Sequence, residues 1–391
     1  MVKGVRLVNL DTEDWGDLFI GCAGGGDTQV VLPVGTAVDA GSLSEADVAA
    51  GTSLRLSVRG LLGGHSGINI GDDRGNAVIL SARLADAAAS AASEAAEAAA
   101  GDASPLPLPP SFLVVTACGG DKRNALAREA SIDAWVPHPP SSAETAAVVR
   151  AARQEAEAIK EEYGTLERDI EASVEATAAS ASSSPQLSPL DERSSDALLT
   201  LLLTLPHGVI KKSHAVEGLV ETSTNLASVL PVVGENSDAI SAFRVSCSTR
   251  SSLMPALEAA RRSIARAARA AGARVERGEA YPGWAADPGA PLVALAREAV
   301  EGVTGRPAHI GAIHAGLECG LIKVEGGRGC VRERKEERSG GKAKKNLTSL
   351  PRKIKNLKTK KIRQSSAPRC GTPSPSGPPS WERTRPTRGL T

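Results

Sequence analysis

Aromatic residues are scarce in this 391-residue chain: phenylalanine, tyrosine and tryptophan together make up 2%. A hydrophobic fraction of 41% still supports a buried core, which must therefore be built from aliphatic side chains. The same scarcity argues against a protein that stacks nucleic-acid bases on aromatic rings. The sequence also lacks an apolar run long enough to cross a membrane. We therefore expect no membrane partner, and nucleic acid is disfavoured as a partner.

Several motifs of catalysis and ligand binding are also missing. The glycine-rich stretch RGLLGGHSGINIGDDRGNAV (59–78) has neither the dinucleotide fingerprint nor the GK[ST] of a phosphate loop. It lacks the GxSxG of a nucleophile elbow, and the chain contains no HExxH zinc motif. Six cysteines without CxxC spacing favour reduced thiols and a cytoplasmic location. From the residues alone, His65 is either an exposed imidazole in a glycine turn or a functional group.

The net charge of +1 conceals two parts of opposite character. Residues 326–391 carry 19 Lys and Arg against 4 Glu, which leaves 27 basic and 41 acidic residues in 1–325. The basic segment has no sustained apolar period, and this composition predicts a disordered tail. Such a tail could contact phosphates, but it offers no aromatic platform for bases.

Strand and helix patterns alternate along the rest of the chain. An alternating strand (LRLSVRGL), an Ala-rich helix, two strands, a charged helix and a further strand predict a β-α-β-β-α-β, ferredoxin-like order. We therefore predict an α/β protein whose partial catalytic domain contains an inserted α+β lid/dimerisation domain. The predicted parts are 1–52 and 272–325 for the catalytic domain, 53–271 for the insertion and 326–391 for the tail. Ala/Ser/Pro-rich insertions are expected near 90–110 and 175–195.

The GGHSG stretch, followed by a GNA that opens a helix, resembles the lid of di-zinc exopeptidases. Further segments agree in order with the aminoacyl-histidine dipeptidases, also called cytosol nonspecific dipeptidases and related to carnosinases. These segments are LVNLDTEDWGDLFIGCAGG, ACGGDKRNALAREA, LLLTLPHGV, LVETSTNLA, YPGWAADPGAPLVALA and AIHAGLECGLI. Together they extend over residues 1 to about 323, and their ordered series makes the resemblance specific.

The resemblance implies a metallo-dipeptidase that cleaves Xaa-His or other dipeptides with a metal-activated water. Two zinc ions per site are expected, with manganese or cobalt as alternatives, and the family is dimeric. Asp11 matches a metal ligand. His65 would donate a hydrogen bond to the oxygen that gains charge, often in the site of the other subunit. Candidate substrate-binding residues are Asn225, Arg250, His314 and Glu318.

The match also predicts an incomplete enzyme. The family's HxD pair, bridging Asp and Glu-Glu pair precede the segment that contains Asp11, and its last His ligand follows the segment AIHAGLECGLI. Neither group occurs here, so the zinc ions are not expected to be fully bound. We therefore expect a truncated chain that is weakly active or inactive. The alternative is a non-catalytic lid and dimerisation module.

Overall fold

The computed structural model describes residues 6–10, 15–100, 110–179, 187–234 and 239–322. The main strands are β1 (Asp17–Cys22), β2 (Gly24–Pro33), β3 (Thr52–Arg59), β4 (Leu113–Gly119), β5 (Ala130–Val136), β6 (Glu171–Ala178), β7 (Gly208–Lys212), β8 (Val220–Val233), β9 (Ile240–Ser251), β10 (Arg274–Arg277) and β11 (His309–Ile313). The main helices are α1 (Glu45–Ala50), α2 (Ala77–Ala100), α3 (Ala143–Tyr163), α4 (Glu192–Thr204), α5 (Met254–Ala270) and α6 (Pro291–Thr304). The fold is a mixture of strands and helices, as predicted.

Most strands belong to one large antiparallel sheet with the order β10-β2-β9-β8-β4-β5-β3-β6, and β7 pairs beside β8. One half of it is continuous in the chain, β3-α2-β4-β5-α3-β6, and is the predicted β-α-β-β-α-β unit. Four of its strands lie in the order β6-β3-β5-β4. The other half repeats this order as β10-β2-β9-β8, with α4 and α5 as its helices. The two halves meet where β4 pairs with β8, at Gly119 and Val229.

A second, two-stranded sheet pairs β1 with β11 in parallel. The chain passes from this small sheet into the large one at Ala23. The backbone N–H of Ala23 lies 3.1 Å from the carbonyl oxygens of both Ile313 and Ala315, so the end of β11 is held at the junction. The segment that follows β11 therefore lies beside the start of β2.

Helices α2 to α5 pack against one face of the large sheet. In β3, the side chains of Leu54, Leu56 and Val58 point into an aliphatic core shared with α2 to α5. The alternate residues face the other side, where Arg55 pairs with Asp133 on β5 at 2.8 Å. A period of two places successive side chains on opposite faces, which explains this division. The predicted aliphatic core is present, and one face of the sheet remains free of these helices.

Some predicted boundaries differ from the observed elements. The strand β2 belongs to the large sheet, although the predicted insertion begins only at Ser53. The Ala-rich stretch near 90–110 continues α2 as far as Ala100, and the stretch near 175–195 includes the end of β6. Residues 6–10 have no regular secondary structure. Among the helices of the described ranges, none has the length and apolarity that a membrane crossing requires.

Candidate functional site

His65 lies in a loop whose shape depends on glycine. Gly64 adopts a positive φ of 126°, a region that other residues rarely enter. A Cβ atom at Gly67 would lie 2.3 Å from the carbonyl oxygen of His314, so a larger residue would break this contact. Asn69 closes the loop, because its Oδ1 accepts the backbone N–H of His65 at 2.9 Å. The loop thus places His65 against the segment that follows β11.

The imidazole of His65 is held as one neutral tautomer. Its Nδ1 accepts the backbone N–H groups of Gly67 and Ile68, each at 3.2 Å, and therefore carries no proton. The proton is then on Nε2, which becomes the hydrogen-bond donor of the ring. Burial, and then the positive charge of Arg250, lower the pKa of His65. A neutral donor of this kind suits an oxygen that gains negative charge during a reaction.

Next to this loop, polar side chains from β8 and β9 lie on the face of the sheet opposite α2 to α5. Ser223 lies directly opposite Arg250 in the strand register, and Asn225 shares their face two residues further along β8. The Nδ2 group of Asn225 donates to the carbonyl oxygen of Ala125 at 2.8 Å. Ala125 also forms an isolated strand bridge with His65. The two strands and the His65 loop are thereby joined.

His314 follows β11 and completes the cluster. Only 6% of its surface is exposed, and its Nε2 lies 2.7 Å from the hydroxyl of Ser223. Burial, and then the charge of Arg250, lower the pKa of His314 to about 4. The structure therefore brings together four of the predicted site residues, His65, Asn225, Arg250 and His314. All four lie in one chain, and Arg250, with its positive charge, is the only one of them that is permanently charged.

Unpaired polar atoms gather at this cluster. Among the described residues, the buried side-chain atoms without a hydrogen-bond partner are Ser66 Oγ, Arg74 Nε, Asn225 Oδ1 and Arg250 Nε. All of them belong to the His65 loop or to β8 and β9. An unpaired buried polar atom costs about 1–3 kcal/mol, so such atoms are rare in native proteins. A ligand that offers both a donor for Asn225 Oδ1 and an acceptor for Arg250 Nε would satisfy two of them.

The remaining predicted residues are not part of this cluster. Glu318 stands four residues after His314 and is exposed, so it does not belong to the buried cluster. Asp72 accepts a hydrogen bond from Arg74 at 2.8 Å and so braces the His65 loop. Asp11, the predicted metal ligand, lies outside the described residues.

The described residues do not fit a metal ion. Nowhere in that part of the chain do three or more His, Cys, Asp or Glu side chains gather closely enough to hold one. His65 and His314 are close enough for their charges to interact, but Arg250 lies beside both. Its positive charge opposes the binding of a cation. The zinc that the sequence resemblance implies therefore has no ligand set among these residues.

Two known proteins match most of the chain. The cytosol non-specific dipeptidase of Escherichia coli (strain K12) is 30% identical over 318 residues, which is 81% of this chain and 56% of that protein. The crystal structure of the aminoacylhistidine dipeptidase from Vibrio alginolyticus superimposes with a TM-score of 0.66 at 30% identity, over 82% of this chain and 57% of that one. The chain is similar to both of these dipeptidases over most of its length. The predicted relationship is thus confirmed.

The chain spans less than two thirds of the length of the two proteins it matches. No family model matches its sequence. The agreement with the Vibrio alginolyticus structure confirms the mixed α/β fold.

The sequence analysis did not single out two neighbours of Arg250. Ser223 could have been found from its position, because it stands two residues before Asn225 in a strand and must share its face. Tyr281, whose hydroxyl lies 3.4 Å from Arg250 Nη1, stands 31 residues after it. It opens the segment YPGWAADPGAPLVALA, but no pattern in that segment assigns it a role.

Proposed function

We propose that the chain binds dipeptides at the cluster of His65, Asn225, Arg250 and His314 and acts as a dipeptidase. The observation that carries this proposal is the pair of unpaired buried atoms, one an acceptor on Asn225 and one a charged donor on Arg250. A dipeptide carries a terminal ammonium and a terminal carboxylate, which are the complementary groups. The names of the two matching relatives support the same class of substrate.

Each residue has a distinct role in this proposal. Arg250 binds the terminal carboxylate, because a guanidinium presents a planar set of donors that fits a carboxylate. Asn225 accepts from the terminal ammonium, since its Nδ2 is already engaged by Ala125 and its Oδ1 is an acceptor. His65 donates from Nε2 to the carbonyl oxygen of the peptide bond.

The cluster supplies groups that bind and polarise a peptide, and it contains no carboxylate that could serve as a base. Activation of the attacking water is therefore not assigned to any described residue. The described residues also provide no metal site. We therefore expect the chain to bind dipeptides measurably and to hydrolyse them slowly. Turnover measured with zinc, manganese or cobalt added would show which metal, if any, supports the reaction.

Calorimetric titration with glycyl-histidine tests the proposed binding mode. Its C-terminal amide and its N-acetyl form each lack one charged group and serve as matched ligands. We expect each of them to bind about tenfold or more weakly than the free dipeptide, because a hydrogen bond to a charged group contributes about 1.5–3 kcal/mol. Equal affinity for all three ligands, or no binding of the free dipeptide, would refute the proposal.

The inserted lid, the homodimer and the cytosolic location remain proposals. We place the start of the inserted domain at Gly24, because β2 is part of the large sheet. A second copy can pair at an outer strand of the large sheet, β6 or β10, since an outer strand presents unpaired backbone groups. Sedimentation would show a mass twice that of the 40.1 kDa chain if the homodimer forms. The non-catalytic module is not favoured, because both reported relatives are dipeptidases.

A further inference from the structure

Tyr281 has a backbone that is fixed at the junction of the two sheets. Its N–H donates to the carbonyl oxygen of Gly25 at 2.9 Å, and its own carbonyl accepts the N–H of Gly25 at 3.1 Å. Three residues later, Trp284 exchanges the same pair of hydrogen bonds with Cys22, at 2.8 and 2.9 Å. The segment from Tyr281 to Trp284 therefore lies antiparallel to the end of β1 and the start of β2, and its position is set by four backbone bonds.

The ring of Tyr281 occupies a space that two glycines leave open. A Cβ atom at Gly25 would lie 2.4 Å from the phenol oxygen, and one at Gly316 would lie 3.0 Å from ring atom Cε2. Gly25 is the register partner of Arg250 on the neighbouring strand, and Gly316 stands two residues after His314. The ring thus fills the position opposite Arg250 and touches the segment that carries His314.

The phenol also contacts Arg250 directly. The Nη1 group of Arg250 donates to the Tyr281 hydroxyl at 3.4 Å, while its Nε has no partner. Within the described ranges no carboxylate pairs with Arg250, although only 8% of this residue is exposed. A guanidinium is planar and rigid, so a contact at one nitrogen restricts the direction of the others. A neutral hydroxyl does this without cancelling the positive charge that an anionic ligand requires.

We propose that Tyr281 is a positioning residue that orients the guanidinium of Arg250 toward the carboxylate of the ligand. This inference rests on the proposed function, because it assumes that Arg250 binds a carboxylate. It adds a residue that touches the ligand only through Arg250. Its removal should therefore weaken the recognition of the carboxylate and leave the rest of the binding site unchanged.

The substitution Tyr281→Phe tests this role, because it retains the ring between the two glycines and removes only the hydroxyl. Calorimetric affinities are measured for glycyl-histidine and for its C-terminal amide. We expect the affinity for the free dipeptide to fall about three- to tenfold, the range for one neutral hydrogen bond. The affinity for the amide should not change. Tyr163→Phe is the matched control, since Tyr163 is the other tyrosine of the chain and lies at the end of α3.

Each outcome is decisive. An equal loss for the dipeptide and the amide would show a general structural role and overturn the inference, and so would an unchanged affinity for both. Should Tyr281→Phe fail to fold, Gly316→Ala applies the same test, because the added Cβ would lie 3.0 Å from ring atom Cε2 and the tyrosine ring must shift slightly to accept it. If the unaltered chain binds neither ligand, the proposed function itself fails, and this result is visible before any variant is made.

Discussion

Arg250→Met is expected to weaken the binding of glycyl-histidine by about tenfold to hundredfold, the usual range for hydrogen bonds to a charged group. The reason is that Arg250 is the only permanent charge of the cluster and has an unpaired Nε. Arg250→Lys keeps the charge and loses the planar set of donors, so we expect an intermediate loss. Arg244→Met is the matched control, because it removes an exposed arginine from the same strand. Calorimetric titration measures all four proteins.

The same variant also separates binding from stability. Arg250 is buried with an unsatisfied donor, and replacing a buried charge by an apolar side chain is often neutral or stabilising. We therefore expect the free energy of unfolding of Arg250→Met to equal or exceed that of the unaltered chain in urea titrations. A large fall in stability, or an affinity equal to that of Arg244→Met, would mean that Arg250 has a structural role and not a role in binding.

Acidification is expected to destabilise the protein by about 3 kcal/mol through His207 alone. Burial lowers the pKa of His207 to about 4, and its Nδ1 accepts the backbone N–H of Leu226 at 3.2 Å. The unfolded chain takes up the proton at an ordinary histidine pKa of about 6.5, whereas the folded chain resists it until about pH 4. The contribution of His207 to the free energy of unfolding is therefore complete above pH 6.5. It falls as the pH drops from 6.5 to about 4, and below pH 4 the loss stays constant. His314, whose pKa is also about 4, adds a loss of the same kind.

The variant His207→Gln isolates this effect, because glutamine can still accept a hydrogen bond and does not titrate. Urea unfolding at pH 7 and pH 4.5 should show a smaller difference for the variant than for the unaltered chain. His214→Gln changes an exposed histidine and should leave the difference as it was. An acid sensitivity that is the same in all three proteins would contradict the assignment of His207 as a buried neutral side chain.

Local patterns predicted the half of the large sheet that runs from β3 to β6. They did not predict which strands form the other half. The alternation in LRLSVRGL and the Ala-rich helix after it are properties of neighbouring residues, so β3 and α2 could be read directly. The place of β2 could not, because Gly24–Pro33 pairs with residues of β9 that lie more than 200 positions later. The alternation of residues along one strand carries no information on which distant strand will pair with that strand.

The site shows the same division between what a motif reveals and what only the fold assembles. The family resemblance named His65, Asn225, Arg250 and His314 separately, but nothing in their spacing places them together. Their proximity results from the register of β8 on β9 and from the anchoring of Ala23 at the end of β11. The resemblance also leaves open whether His65 serves its own chain or a second one, and the structure places it beside Arg250 of the same chain.

A crystal structure of the chain with bound glycyl-histidine would test the central claim most directly. We expect the ligand carboxylate to lie within hydrogen-bonding distance of Arg250. The carbonyl oxygen of the peptide bond should face Nε2 of His65 from the same chain. A dipeptide bound elsewhere, or one whose carboxylate points away from Arg250, would contradict the account.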